Sequence, residues 1–104
     1  MSDHYEVVYS PDAQRDLEDI YNYIKFSLLD SFAATRQFNH LRTAARSLST
    51  FPARYARVEW PRWSAYGMRK VAVDNYVILY QINEHSATVF IVRIFYGGSG
   101  EVAK

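Results

Sequence analysis

The run Thr88–Tyr96, TVFIVRIFY, limits what this chain can fold into more than any other stretch. Every residue in it is apolar, aromatic or β-branched except Arg93. A run of that length and composition reads as a strand buried on both faces. Such a strand does not accept a lone cation, because an unpaired buried charge is strongly destabilising. Arg93 therefore needs a partner, or one face of the strand is open to water or to another protein.

The strand also needs neighbours, and the residues before it supply them. Met68–Val73 reads as a strand, Asp74-Asn75 as a two-residue turn that tolerates positive φ, and Tyr76–Ile82 as a strand apolar on both faces. Asn83–Ala87 turns the chain into Thr88–Tyr96, which completes a three-stranded meander ended by Gly97, Gly98 and Gly100. Near the start, Tyr5–Tyr9 alternates as a short strand, with Tyr5, Val7 and Tyr9 on one face. Ser10 suits a helix N-cap, Pro11 the first helical position, and Asp12 the positive end of the helix.

Apolar residues then trace one helical face at Ala13, Leu17, Ile20, Tyr21, Ile24 and Leu28. Asp12, Arg15, Asp16, Asp19 and Asn22 lie opposite, as a solvated face. Asp30-Ser31 caps a second helix with Ala34, Phe38, Leu41, Ala45 and Leu48 on its stripe, and Phe51-Pro52 stops it. The short link between the two predicts an antiparallel helical hairpin. The order is β-α-α-β-β-β, an α+β fold with an antiparallel sheet packed against an αα-hairpin.

At 104 residues this is one domain, 1–104, with enough chain for a core without staples. The chain holds no Cys, which excludes disulfides and thiolate metal sites and fits a reducing compartment. Its three His residues have no ligand-like spacing, so no metal and no cofactor are expected. The N-terminal stretch MSDHYEVVYS lacks the regions of a signal peptide, and no apolar run approaches a membrane span, so a cytoplasmic protein is expected. The net charge of +1 argues against a module that binds nucleic acid by itself. The nine tyrosines, large apolar rings with polar tips, suit half-exposed surfaces and protein interfaces.

The sequence order places the first strand beside either the second or the last, antiparallel to both. One placement sets Glu6 opposite Arg93 on the last strand and makes Tyr5, Val7, Tyr9, Phe90, Val92 and Ile94 a floor for the helices. The other face, with Val8, Val89, Ile91 and Phe95, then stays uncovered and marks a partner site, unless the segment 52–65 lies over it. That segment interleaves Arg54, Arg57 and Arg62 with Tyr55, Trp60 and Trp63. It reads either as a cationic-aromatic surface for bases and phosphates or as a loop whose tryptophans cover the core. A metal-free nuclease site would draw on Arg69, Lys70 and Arg93, with Tyr96 or His85 to move protons. In the other reading Arg69 and Lys70 only keep an edge strand soluble.

SPDAQRDLEDIYNYI, RKVAVDNYVILYQI and VFIVRIFYGG, in that order, resemble the RelE/ParE superfamily of bacterial toxins from type II toxin–antitoxin modules. The resemblance covers nearly the whole chain. It implies a sheet against a helical hairpin, the first strand beside the last, and a cognate antitoxin whose flexible C-terminal segment wraps the toxin. It also implies roles in plasmid stabilisation or stress response. RelE-type members cut ribosome-bound mRNA with basic residues on the meander and a tyrosine or histidine near the end of the last strand. Here Val77 stands where those nucleases often carry arginine, and Gly97-Gly98 follows Tyr96 where another cation is expected. ParE-type members resemble this chain in the first helix and in RIFYGG, and the implied target is DNA gyrase. The expectation is a ParE-like gyrase inhibitor; a RelE-like ribonuclease and a degenerate member that only binds antitoxin are the alternatives. Target-binding candidates are Arg57, Trp60, Arg62, Arg69, Arg93 and Tyr96. Leftover apolar surface and the family pattern place the antitoxin near Leu17, Tyr21, Val77, Leu79 and Ile91.

Overall fold

Each predicted element is present in the computed structural model, which describes residues 4–61 and 63–97. In chain order these are β1 (Glu6–Tyr9), α1 (Pro11–Asn22), α2 (Ser31–Ser47), β2 (Arg69–Val73), β3 (Tyr76–Asn83) and β4 (Thr88–Tyr96). The sheet order is β1-β4-β3-β2, with β4 and β3 central as their apolar runs require. The meander β2-β3-β4 is antiparallel throughout.

The first strand lies beside the last, but parallel to it, with Val7 paired to Val89 and Tyr9 to Ile91. This overturns both the antiparallel direction and the Glu6–Arg93 pair. The reason lies in α1, which does not fold back over β1. It continues along β4, so that Asp16 reaches Ile94. Only α2 returns the chain, and Thr50 bridges His4 at the start of β1. From there β2 sets out from the same end as β1 and runs the same way.

β1 spans only the first half of β4, and α1 takes over the remaining edge. The ladder ends where the Ser10 amide donates to the Ile91 carbonyl (2.9 Å). The Ser10 hydroxyl donates to the Val92 carbonyl (2.8 Å) and also accepts from the Ala13 amide (2.9 Å), so one side chain caps α1 and closes the sheet edge. Leu79 pairs with Arg93 but Tyr80 with Ile91, which makes Val92 the extra residue of a bulge. Before the bulge the alternation is the reverse of that expected along β4, and after it, at Ile94 and Phe95, it is the one expected. Val89, Ile91 and Ile94 all join the helix-side core with Leu41, Leu48, Ile78 and Tyr80.

The other sheet face is covered. Val58 and Met68 are buried with Leu79 beneath Trp60 and Trp63, and Val92 and Phe95 pack against them. The face expected to stay open is therefore covered over Leu79, and the segment 52–65 acts as the cover. Its backbone also follows β2, with the Val58 amide donating to the Met68 carbonyl (2.9 Å). Among the described residues no helix is long and apolar enough to cross a membrane.

Candidate functional site

The three cations expected around a phosphate, Arg69, Lys70 and Arg93, each have a partner within the fold. Arg93 is paired with Asp16: Nε donates to Oδ2 (2.8 Å) and Nη2 to Oδ1 (3.0 Å), while the Ile94 amide donates to the same Oδ2 (2.9 Å). The carboxylate hydrogen bond raises the Arg93 pKa above its ordinary value, against the smaller opposing effect of burial. Asp16 thus does for the end of β4 what a neighbouring strand would do. Helical periodicity assigned it to the solvated face; its side chain is 13% exposed. A carboxylate one residue before a buried helix position (Leu17) was the signal available, but nothing in the sequence links it to residue 93.

Arg69 is half-buried and donates to the carbonyls of Tyr55 (2.6 Å) and Ala53 (3.3 Å), pinning the covering segment to β2. Lys70 lies over the Trp60 ring at 5.0 Å. Arg54 closes the end of α2, donating to the Thr50 carbonyl (2.7 Å). Arg57 is exposed, Trp60 is half-buried, and Arg62 lies outside the described residues. Three of the meander and loop cations therefore hold the fold together.

The two positions where the resemblance would put further cations touch each other. A Cβ on Gly97 would stand 2.6 Å from Val77 Cγ2, and the Gly97 amide donates to the Asn75 carbonyl (2.8 Å). A longer residue at 97 would have to displace the Val77 side chain. Tyr96 precedes this contact and is 57% exposed, edge-on to Tyr76 with ring centroids 5.7 Å apart. Burial, then the neighbouring Tyr96 and Tyr23, push the Tyr76 hydroxyl above its ordinary pKa.

The antitoxin candidates fare unevenly. Leu79 and Ile91 are fully buried and Leu17 is 6% exposed, so they carry the core and offer a partner no surface. Tyr21 and Val77 are half-buried. The free apolar surface lies instead at the tip of the helical hairpin. There Tyr23–Ser27 widens into a π-type turn, with the Leu28 amide donating to the Tyr23 carbonyl (3.1 Å). The extra residue per turn rotates Leu28 off the buried stripe, which corrects its assignment to the core face. Leu29 sits at φ 55°, and Asp30 starts α2 by accepting from the Ala33 amide (2.9 Å). Phe26, Leu28, Leu29 and Phe32 are left exposed, Leu29 by 84% and Phe32 by 76%.

Beside this tip a groove of about 790 Å³ runs between the hairpin and the end of the sheet. Ile20, Tyr23 and Ile24 of the first helix line one wall, Ala33 and Arg36 of α2 another, and Tyr76 and Tyr96 the floor. Its lining is apolar and aromatic, with Asp19, Arg36, Gln37 and Asn75 as its polar groups. Among the described residues no three His, Cys, Asp or Glu side chains gather as a metal site.

Structures of this shape are known. The toxin–antitoxin system ParDE from P. aeruginosa superposes with a TM-score of 0.74 at 17% identity, covering 91% of this chain and 98% of that one. The RelBE2 toxin–antitoxin complex of Mycobacterium tuberculosis gives 0.61 at 22% identity, over 89% and 98%. A variant of the E. coli toxin RelE in the free state gives 0.61 at 16%, over 95% and 90%. The fold is therefore that of the RelE/ParE toxins. No curated protein sequence matches the chain. The model of the family "ParE toxin of type II toxin-antitoxin system, parDE" matches residues 7–99, and the chain belongs to that family of toxins.

Proposed function

We propose that this toxin inhibits DNA gyrase by binding it and is neutralised by an antitoxin seated on the hairpin tip and its groove. The observation that carries the target is the Val77–Gly97 contact, which packs two uncharged residues against each other where a RelE-type nuclease is expected to carry cations. The commitments of Arg69 and Arg93 to backbone and to Asp16 support the same reading. Electrostatic stabilisation of a phosphoryl transition state needs several donors aimed at one point, and here Arg69 and Arg93 are already engaged within the fold. The antitoxin reading rests on Phe26, Leu28, Leu29 and Phe32, a patch larger than single exposed apolar residues explain. An amphipathic helix laid in the groove would cover it.

The test is supercoiling of relaxed plasmid by purified gyrase with and without the toxin. Inhibition relieved by the antitoxin is expected; full supercoiling at stoichiometric excess of toxin refutes the gyrase reading. The exposed Tyr96 at the end of β4 favours a second reading, a ribonuclease with a reduced site. Primer extension on translated mRNA decides it, since unaltered transcripts remove that reading.

A further inference from the structure

Many aromatic rings of this chain carry one of its own cations. Lys25 lies over Tyr21 (5.5 Å to the ring centroid), Arg42 over Tyr9 (6.0 Å), Arg54 over Tyr55 (4.8 Å) and Lys70 over Trp60 (5.0 Å). Three tyrosines differ. Among the described residues, no lysine or arginine lies over the rings of Tyr23, Tyr76 or Tyr96, and none of their hydroxyls meets a hydrogen-bond partner.

All three line the groove of about 790 Å³ between the hairpin and the end of the sheet. Tyr76 and Tyr96 stand at 76° to each other with centroids 5.7 Å apart, so their rings form a corner. Tyr23 faces them from the hairpin, close enough to add to the effect of Tyr96 on the Tyr76 phenol. The groove also holds a charge without a counter-ion. Asp19 stands one helical turn before Tyr23 and lines the same groove. It is exposed and, among the described residues, pairs with no cation. The groove's other charge, Arg36, is engaged elsewhere. Its guanidinium lies 5.5 Å from the Phe32 ring centroid, and it acts on Asp74. Ring faces attract cations, so vacant rings beside an unpaired carboxylate make a site for a positive group.

The surroundings favour one kind of cation. A quaternary ammonium is held by the rings but has no N–H for Asp19 or the phenol oxygens. A lysine ammonium donates, but it is strongly hydrated and has no flat face. A guanidinium lays its plane on a ring and still aims its N–H donors outward from the edge. Ile20, Ile24 and Leu28 in the same lining would take the methylene stem. Nucleic acid would stack on the rings but set its phosphates against Asp19.

We propose that Tyr23, Tyr76 and Tyr96, with Asp19, form a cage for an arginine side chain of the antitoxin. The source of the arginine rests on the toxin reading above; the cage does not. The probe is N-acetyl-arginine methylamide, with N-acetyl-citrulline methylamide as its neutral isostere, titrated into the toxin and followed by the tyrosine ring resonances in NMR. The arginine compound is expected to shift Tyr23, Tyr76 and Tyr96 saturably, with a dissociation constant of about 10 mM or tighter. The citrulline compound should bind about tenfold more weakly or worse. Asp19→Asn and Tyr96→Leu, both at exposed positions, should each weaken binding by about threefold or more. Should either variant misfold, the citrulline comparison asks the same question of the unaltered protein. Equal binding of the two compounds, tighter binding of tetramethylammonium, shifts that leave the three tyrosines unmoved, or no saturable shift up to about 50 mM each overturns the proposal. Saturating antitoxin should abolish the shifts; shifts that persist in the antitoxin complex overturn the assignment of the arginine to the antitoxin. Failure of the toxin reading would appear separately, as unimpaired growth of cells expressing the chain.

Discussion

Removing the Asp16 carboxylate tests the most consequential contact in the molecule. The side chain is 13% exposed and accepts three hydrogen bonds, two from Arg93 and one from the Ile94 amide. Arg93 is 45% exposed, so its part is discounted for solvent screening to about 1 kcal/mol. The Ile94 amide is half-buried and loses its acceptor, which costs about 1–3 kcal/mol. Asp16→Ala should therefore destabilise by about 2–4 kcal/mol. Asp16→Asn, which keeps an oxygen for Ile94, should cost about half as much, and Arg93→Met about 1 kcal/mol. In a domain of this size 1 kcal/mol shifts Tm by about 4–8 °C, so the alanine variant should melt at least 8 °C lower. Urea denaturation of the three variants and of the Asp16→Ala, Arg93→Met double variant measures each term and the coupling. A loss below about 0.5 kcal/mol for Asp16→Ala would refute the reasoning. So would equal losses for Asp16→Ala and Arg93→Met, because the backbone bond would then contribute nothing.

Other consequences are as direct. Gly97→Ala puts a methyl group 2.6 Å from Val77 Cγ2 and should cost about 1–3 kcal/mol, recovered in part by Val77→Ala; additive losses in urea melts would exclude the clash. Leu29→Asp with Phe32→Ser should change stability by about 0.5 kcal/mol or less, since both side chains are exposed, yet abolish capture by the antitoxin in size-exclusion chromatography. Tyr80 is fully buried, its hydroxyl donating to the Pro52 carbonyl (2.6 Å), and burial pushes its pKa up to about 12. The folded state holds that proton more tightly than the unfolded chain, so this contribution is complete below pH ~10 and lost as pH rises towards about 12. Tyr80→Phe should weaken that alkaline dependence; an unchanged urea midpoint profile between pH 9 and 11 would count against it. The exposed Asp74 carboxyl is held below its ordinary pKa, first by the His40 hydrogen bond (3.0 Å) and then by Gln37. Its small stabilisation is present above the unfolded pKa and is lost as pH falls through the lowered one; His40→Ala should remove that acid limb in thermal melts.

Much of the fold was legible because it is local. The Ser10 cap, the Asp30 cap, the Asp74-Asn75 turn and the two apolar stripes each follow from neighbouring residues, and the element order emerges from them. Of the proposed site, Tyr96 at the end of the last strand and the missing cations at Val77 and Gly97 could be read from the chain, whereas the exposure of Tyr96 could not. The hairpin tip could not, because the π-type turn shifts the phase of a helical stripe that otherwise predicts Leu28 as core.

The strand that opened the sequence reading shows where the boundary falls. Composition alone determined that Thr88–Tyr96 is a central strand and that Arg93 must be accounted for. Only the tertiary structure decided that the account lies with Asp16, that β1 runs parallel beside β4, and that the tryptophan segment covers the second face. The first two depend on the direction in which α1 leaves β1, and that direction follows from the Ser10 and Asp16 contacts with β4. Those contacts join residues distant along the chain, and no periodicity within either partner encodes them.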